Sequence, residues 1–531
     1  DKNKIRSETV TTQYDTHGNE TSKILADGTT LLSTYYAPIG EGIPTDDFYC
    51  PPDPELFVRS LKTKTTIPAP SSFGDAPTLQ CQFRYGSLPS IIEGFANHQV
   101  LTTEKLFQVT VEQPANGQSK ELFVPLQTIE RTYYNTLGNL VSHGRLKRQT
   151  LTLETSSSFI DFEYGLLSLP ETVPVLVTRK TLGSSLDSHY RTTEAHTSII
   201  TGQPVFEIQD NGSTVAYTYD SLGRLKSETT APDTNASATR RYEYYLPTAQ
   251  GLITEHIITD VMGLKARVKF DGLDRMISQE LMDNTNPQNR DYRKTYEALY
   301  NNRGHLAQET YYDWIDETNS LALTSHFFYD HWNQLEATKK PDNILYYEVH
   351  DPIGLKNTEE QFEPTITRWR QAPGIVAVQH GLNVTRLSSL GKPLKVEMRD
   401  SQNAVISYYE YNYDGVGNCI KEVDEFGNTS QYAYDAWSRL VSNTLPDRTR
   451  VLHTYTPHST EALPTRLEVI DGANIKRVIG EQTFDGLGRM TSSTVGSRVQ
   501  TLSYTDGQMQ VCKRETLKKK IISYAYDFNL T

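Results

Sequence analysis

The sequence predicts an all-β chain, a long array of β-hairpin repeats forming a curled sheet, and three observations carry that expectation. A tyrosine-aspartate turn pattern recurs along the 531 residues, tyrosine dominates the aromatics, and the apolar content is too low for a deep core. Tyr occurs 32 times against 17 Phe and 4 Trp. Its ring packs on a pleated surface while its hydroxyl stays wet, which suits a half-buried sheet. Hydrophobic residues make up 37% of the chain, below the roughly 45–50% of an average soluble domain on a count that also includes Gly. Such a chain buries thin layers.

The clearest copies of the repeat are Tyr217, Tyr219, Asp220, Gly223, Arg224 and Leu225; then Tyr411, Tyr413, Asp414, Gly417 and Asn418; then Tyr432, Tyr434, Asp435, Ser438, Arg439 and Leu440. Tyr413 and Tyr434 lie 21 residues apart, a spacing that means an array rather than a set of globular domains. Looser copies begin at Tyr14-Asp15, Tyr134-Asn135, Phe270-Asp271, Tyr300-Asn301, Tyr329-Asp330 and Phe484-Asp485, the last with Gly488 and Arg489. Between the best copies sits a second turn, Asp424 to Gly427, echoed by Asp210 to Gly212 and Asp260 to Gly263. Each unit thus holds two turns and two strands.

The motif is the chemistry of a hairpin. Tyr217 and Tyr219 are two apart and share one face of a strand. Asp220 opens a type I turn by accepting hydrogen bonds from amides that follow it, and Gly223 takes a positive φ at no steric cost. Leu225, Ser227 and Thr229 then alternate as the return strand. A single hairpin is marginal in water, so repeated ones pair edge to edge. Three copies depart from the pattern: Asp274, Asn333 and Ser438 stand where the turn glycine is expected. Asp and Asn tolerate positive φ better than most residues; Ser is the hardest to accommodate. Regularity divides the chain into a less regular β lead-in at 1–195 and a repeat array at 196–531, which stops inside a further repeat at Tyr526-Asp527 and reads as a fragment.

A net charge of −13 argues against nucleic acid, which needs a concentrated basic face. Cys50, Cys81, Cys419 and Cys512 include no Cys-x-x-Cys pair, so neither a disulfide framework nor a zinc cluster is expected, and a Cys50–Cys81 bridge is the one pairing left open. No apolar run, the longest lying around Val173 to Val177, reaches the length of a membrane span. No catalytic residue, cofactor or metal ligand is expected. Phosphate loops and nucleophile elbows are absent, and His326 with His331, and His453 with His458, lack zinc spacing. The recurring Tyr-Asp pair is a poor acid-base dyad, because about ten equivalent copies are a structural pattern.

These alternating turns resemble the RHS/YD repeats of bacterial polymorphic toxins and of teneurins. A closer resemblance lies in Cys50-Pro51-Pro52-Asp53-Pro54 with Phe57, Arg59, Leu61 and Lys62, and in Thr259-Asp260 with Gly263, Leu264, Lys265, Arg267 and Lys269 to Gly272. These segments are similar to the B component of Tc insecticidal toxin complexes. The resemblance implies a secreted, non-enzymatic virulence protein, part of a hollow shell that encapsulates a cytotoxic domain. It implies as partners a C component carrying that domain and, through upstream regions absent here, a pore-forming A component, with no direct membrane insertion.

His350-Asp351-Pro352-Ile353-Gly354-Leu355 resembles the string at which RHS cores cleave themselves, but it lies mid-chain with repeats following, and a variant repeat turn is expected there. Two other readings stay open: an autoproteolytic RHS protein cutting near Asp351-Pro352, and a teneurin-like cell-surface adhesion or glycan-binding module. The Asn-x-Ser/Thr strings, such as Asn211-Gly212-Ser213, fall largely at turns that the hairpin already explains.

Overall fold

A computed structural model describes residues 6–70, 76–112, 120–154, 156–168, 174–247, 253–283, 291–316, 318–357, 361–372 and 380–526. Among these residues every regular element is a β-strand, 37 in all, and they pair antiparallel with strands adjacent in sequence, as Thr254–Thr259 does with Lys265–Phe270. The chain divides into two compact units, one built mainly on Thr214–Glu410 and the other on Ser7–Ser213 with Tyr411–Phe528. The last predicted turn, Tyr526-Asp527, runs beyond the described residues.

In the first unit, strands Thr214–Tyr219, Leu225–Thr230, Ala238–Tyr245, Thr254–Thr259 and Lys265–Phe270 form a continuous ladder. Both faces of this layer are only half-buried: every residue of Thr254–Thr259 and of Lys265–Phe270 is intermediate in exposure. The low apolar content is thereby accommodated, because a one-layer sheet needs no thick core. Cross-strand rings supply much of the packing. Tyr244 faces His256 at 4.8 Å between centroids, His256 meets Phe270 at 4.5 Å, and Tyr347 stacks on Trp369 at 4.5 Å, and such pairs are the usual unit of sheet stabilisation. Buried carboxylates on the sheet are paired: Glu280 is held by Lys269 at 2.7 Å and by Arg267, and Glu397 by Arg399 and, at 3.6 Å, by Lys395. An unpaired charge at these depths would be costly.

Strand direction alternates along a meander, so alternate turns share an edge. The Tyr-Asp turns at Asp220, Asp271, Asn301 and Asp330 lie on one edge of the first unit, and the turns at Asp260, Lys340 and Asp400 on the other. The same parity places Asp414, Asp435 and Asp485 on one edge of their ladder in the second unit, with Asp424, Leu445 and Asp471 opposite.

The front of the second unit has longer strands, such as His98–Glu112 and Lys120–Tyr133. Beside them lies the tightest packing described, where Tyr36 and Cys50 are each 1% exposed. Tyr36 donates its hydroxyl to Phe83 O at 2.7 Å, and Asp53, 3% exposed, accepts from the Glu55 and Phe57 amides and from Arg59 Nε at 2.7 Å. The Cys50-to-Lys62 segment singled out in the sequence is thus a knot of buried polar groups. Cys50 and Cys81 are free thiols there, and burial pushes the Cys50 thiol up to about 11.

Two sequence expectations change on inspection of the backbone. Asp351 to Gly354 is no hairpin turn: the strand Leu345–Lys356 runs through it as a bulge, with its register against Phe362–Gln371 shifting between Asp351 and Leu355. The reversal comes later, where Asn357 N donates to Gln361 O at 2.8 Å. The copy at Tyr134 opens into a wider loop closed by Tyr134 N to Arg145 O at 2.9 Å. Asn139 there turns its side chain to the amides of Val141 and Ser142 and starts a second reversal.

A recurring turn clasp as the candidate functional site

Each regular Tyr-Asp turn is five residues long and closes with the same two backbone bonds. Gly223 N donates to Asp220 O at 3.0 Å and Asp220 N to Arg224 O at 2.9 Å; Gly488 with Asp485 and Ser438 with Asp435 repeat the pattern. This is a type I turn followed by a left-handed residue, with a bulge in the adjoining ladder between Thr218 and Tyr219. Gly223, Gly417 and Gly488 have φ of 78°, 89° and 77°. The three substituted positions adopt the same conformation, Asp274 at 60°, Asn333 at 67° and Ser438 at 60°. The turn therefore imposes left-handed backbone even on serine, at a cost of about 1–2 kcal/mol per residue, which the closing bonds offset.

The aspartate does more than open the turn. Asp220 Oδ1 accepts from the amides of Leu222 and Arg224, both at 2.9 Å, while Oδ2 takes the Arg224 guanidinium at 2.8 Å. Asp435 repeats this with Trp437 and Arg439, and Asp485 with Leu487 and Arg489. In Asp414 the fifth residue is Asn418, whose amide and side chain both donate, each at 2.9 Å.

The fifth residue then reaches the next hairpin. The guanidinium of Arg224 lies 4.5 Å from the ring of Tyr244, that of Arg439 4.7 Å from Tyr455, and that of Arg489 4.6 Å from Tyr504, cation–π distances throughout. Each of these tyrosines donates its hydroxyl to the carbonyl just after the arginine: Tyr244 to Leu225 O at 2.9 Å, Tyr455 to Leu440 O at 2.6 Å and Tyr504 to Met490 O at 2.7 Å. Tyr434 does the same to Cys419 O at 2.9 Å. Aspartate, fifth residue and the following unit's tyrosine thus form a clasp that locks one repeat to the next. Tyr219 and Tyr413 occupy the strand ends before their turns, and burial pushes the Tyr413 hydroxyl up to about 12.

The sequence marked the aspartates, glycines and arginines of this clasp but treated tyrosine as a face-filling residue of its own hairpin. Sequence reasoning missed Tyr244, Tyr455 and Tyr504, and it placed Tyr300 and Arg275 in their own turns without the contact between them, 4.3 Å from guanidinium to ring. The signal was present as the tyrosine one unit downstream of each turn. Also missed were the turns at Lys340 and Leu445, where the carboxylate has moved to the third position: Asp342 and Asp447 accept the amides of Ile344 and Thr449 at 2.9 Å. The second-type turn near Asp210 begins one residue earlier, with Gly212 N donating to Gln209 O.

Three of the four paired histidines have neighbours other than each other. His331 lies against Trp332, His453 against Tyr455, and His458 bonds to Asp485 O at 3.1 Å. Among the described residues no group of three His, Cys, Asp or Glu is placed to hold a metal ion, and no helix is long and apolar enough to cross a membrane.

Two expected results follow from the clasp. Replacing Tyr455 with Phe removes one hydroxyl bond but keeps the arginine stack, so a loss of about 0.5–1.5 kcal/mol is expected in urea unfolding, with faster hydrogen exchange at Leu440. The pH dependence has two limbs. The Arg224 amide first, then its guanidinium and the Leu222 amide, hold Asp220 below the usual carboxylate range against opposing desolvation, and the Arg275 side chain leads the same effect at Asp271. Burial raises Tyr244, Tyr455 and Tyr504. A lowered carboxylate stabilises the fold above its unfolded value and loses that as pH falls through its folded value; a raised phenol stabilises below its unfolded value and loses that as pH rises. Urea midpoints are expected to be flat between about pH 5 and about pH 9, falling below about 4 and above about 10. A midpoint unchanged at pH 3 would remove the carboxylates from this account.

A family model described as an RHS repeat matches residues 413–450, the stretch that holds the turns at Asp414, Asp424 and Asp435. No curated protein matches the chain. Among solved structures, a complex titled TcdB2-TccC3-Cdc42 aligns at 11% identity and TM-score 0.45, covering 98% of this chain and 29% of that one. TcdB2-TccC3 without its hypervariable C-terminal region aligns at 11% identity and TM-score 0.46, covering 98% and 29%. A Photorhabdus luminescens Tc holotoxin pore aligns at 11% identity and TM-score 0.35, covering 95% and 31%. The chain spans less than a third of the length of these solved chains.

Proposed function

We propose that this chain is a wall segment of a toxin shell of the Tc B-component kind, whose role is to enclose and shield a cytotoxic domain carried by a separate C component. The observation that carries this reading is the clasp. Successive hairpins are locked to one another by Asp, the fifth turn residue and the following Tyr, while strands such as Thr254–Thr259 and Lys265–Phe270 stay half-buried on both faces. A wall must be continuous, thin and soluble on both sides, and these properties meet that need. The RHS match at 413–450 and the Cys50-to-Lys62 and Thr259-to-Gly272 segments support the family branch.

On this reading the turn residues Tyr219, Asp220, Gly223, Arg224, Tyr413, Asp414, Gly417, Tyr434, Asp435, Arg439, Asp485, Gly488 and Arg489 are structural, and no chemical step belongs to the chain. Residues 1–195 serve as the irregular lead-in and 196–531 as the repeat array. The protein acts outside the producing cell, and a pore-forming A component engages regions beyond this chain. Confinement is the mechanism: a closed wall denies the cargo the volume to fold and keeps proteases out. The test is co-purification with the candidate C component, then limited proteolysis of its cargo domain. A stable one-to-one complex with protected, enzymatically silent cargo is expected. Cargo digested as fast as when free would overturn the proposal.

A further inference from the structure

The edge of the second unit that carries the Asp471 turn continues through two further reversals. One joins Met490–Val495 to Arg498–Tyr504 and the other joins Val511–Thr516 to Ile521–Ser523. The chain as a whole has a net charge of −13, yet this corner gathers Arg498, Arg514, Lys518, Lys519 and Lys520, all of them exposed. Among the described residues none of the five forms an ion pair, a side-chain hydrogen bond or a ring contact. Cations close by are paired: Lys513 with Glu515 at 3.1 Å and Lys476 with Glu468 at 2.8 Å.

The register explains why these charges stay uncompensated. Residues opposite one another on paired strands share a face of the sheet. Val495 stands opposite Arg498, Gln500 opposite Thr516, and Leu502 opposite Arg514. The strands from Lys476–Phe484 to Ile521–Ser523 hold two carboxylates, Glu481 and Glu515. These stand opposite Thr494 and Thr501 and so belong to the other face. Lys519 adds its charge at the left-handed position of its turn, φ 54°, as Arg448 does on the same edge, although Asn474 in the turn between them shows the residue that backbone favours. Solubility does not account for the cluster, because in an acidic chain each added cation brings the net charge nearer to zero.

Arg498, Arg514, Lys518 and Lys520 line a cleft of about 660 Å³, with Val495 and Leu517, 57% and 63% exposed, on its walls. Every lining residue comes from 493–500 or 514–520, so no distant segment is folded over it. The chain leaves the corner along Ile521–Ser523, and Tyr524 N then bonds to Cys512 O at the far end of the preceding strand.

We propose that this corner is a docking site for an acidic polypeptide segment, which sets an apolar side chain between Val495 and Leu517 and its carboxylates against Arg498, Arg514 and the Lys518–Lys520 turn. Cations without counter-charges attract an anion, and the planar arginine fork matches a carboxylate. The apolar walls favour a peptide over a sulfated glycan or a free phosphate, neither of which brings an apolar group to bury. The site stands apart from the shell reading, since it asks only what this corner binds.

The probe is a fluorescein-labelled peptide of four glutamates flanking one leucine, titrated into the full chain and followed by anisotropy. Saturable binding is expected at low salt, weakening about tenfold as ionic strength rises from about 0.02 to about 0.2 M, with slower hydrogen exchange at 495–499 and 516–520. The double variant Arg498→Glu with Arg514→Glu is expected to weaken binding about tenfold; both side chains are exposed and unpaired, so the fold does not depend on them. Lys392→Glu, at an exposed lysine of the first unit, is expected to leave binding unchanged. Binding that survives the double variant, or that falls equally with Lys392→Glu, would overturn the proposal. Equal affinity for a peptide with serine in place of leucine would overturn it in favour of a plain anion site, and tighter binding of a heparin oligosaccharide in favour of a sulfated glycan.

Discussion

Asp485→Ala is expected to destabilise the second unit by about 3–5 kcal/mol, far more than the same change at Asp220. The Arg489 and Asp485 side chains are 2% and 7% exposed. Removing the carboxylate deletes the acceptor for the Leu487 and Arg489 amides and leaves a guanidinium in a dry site. Gln508 O at 2.6 Å and Thr505 O at 3.4 Å remain as its neutral partners. The equivalent pair of Arg224 and Asp220 is 31% and 24% exposed, so water takes over when Asp220 is lost. Repeat arrays open locally before they unfold globally, and hydrogen exchange across Phe484 to Val495 is the suitable readout. Equal effects at the two positions would show that burial of the clasp does not set its strength.

Gly354→Ala is expected to cost about 4 kcal/mol or more. Its φ is 76°, and a Cβ there would lie 1.7 Å from Glu363 O, 2.6 Å from Glu363 C and 2.8 Å from Pro364 Cα. These are backbone atoms of the partner strand, so no rotamer change relieves the overlap. The pair Leu345–Lys356 and Phe362–Gln371 would have to part beyond Asp351, where its register shifts. Gly263→Ala is the control: its φ is 81° but nothing lies within 4 Å, and only the left-handed penalty of about 1–2 kcal/mol applies. Circular dichroism melts of the two variants compare them directly. If Gly354→Ala were as mild as Gly263→Ala, the bulge would be free to slide.

The sequence by itself determined the order of strands and turns and the chemistry within each turn. Asp220, Gly223 and Arg224 span five residues, and their bonds close among themselves whatever surrounds them, so the pattern could be read directly. Even Ser438 could be named in advance as a strained position, because turn geometry is local. The Asp351-to-Gly354 string misled for the complementary reason. Its residues suit a turn, but Gly354 is placed by the carbonyl of Glu363 on the next strand, and the chain is carried on as a bulge.

Only the tertiary structure decided which groups each turn serves. Tyr455 bonds across a hairpin to Leu440, and its role depends on ladder register rather than on its neighbours in sequence. The difference between Gly415, whose carbonyl accepts from Ala69 N at 3.0 Å, and Gly486 lies further still from the sequence. Their local strings are nearly identical, yet Asp187 reaches Gly486 across 299 residues. Such a contact depends on the summed twist and offset of many strands, a quantity that no short window of residues encodes.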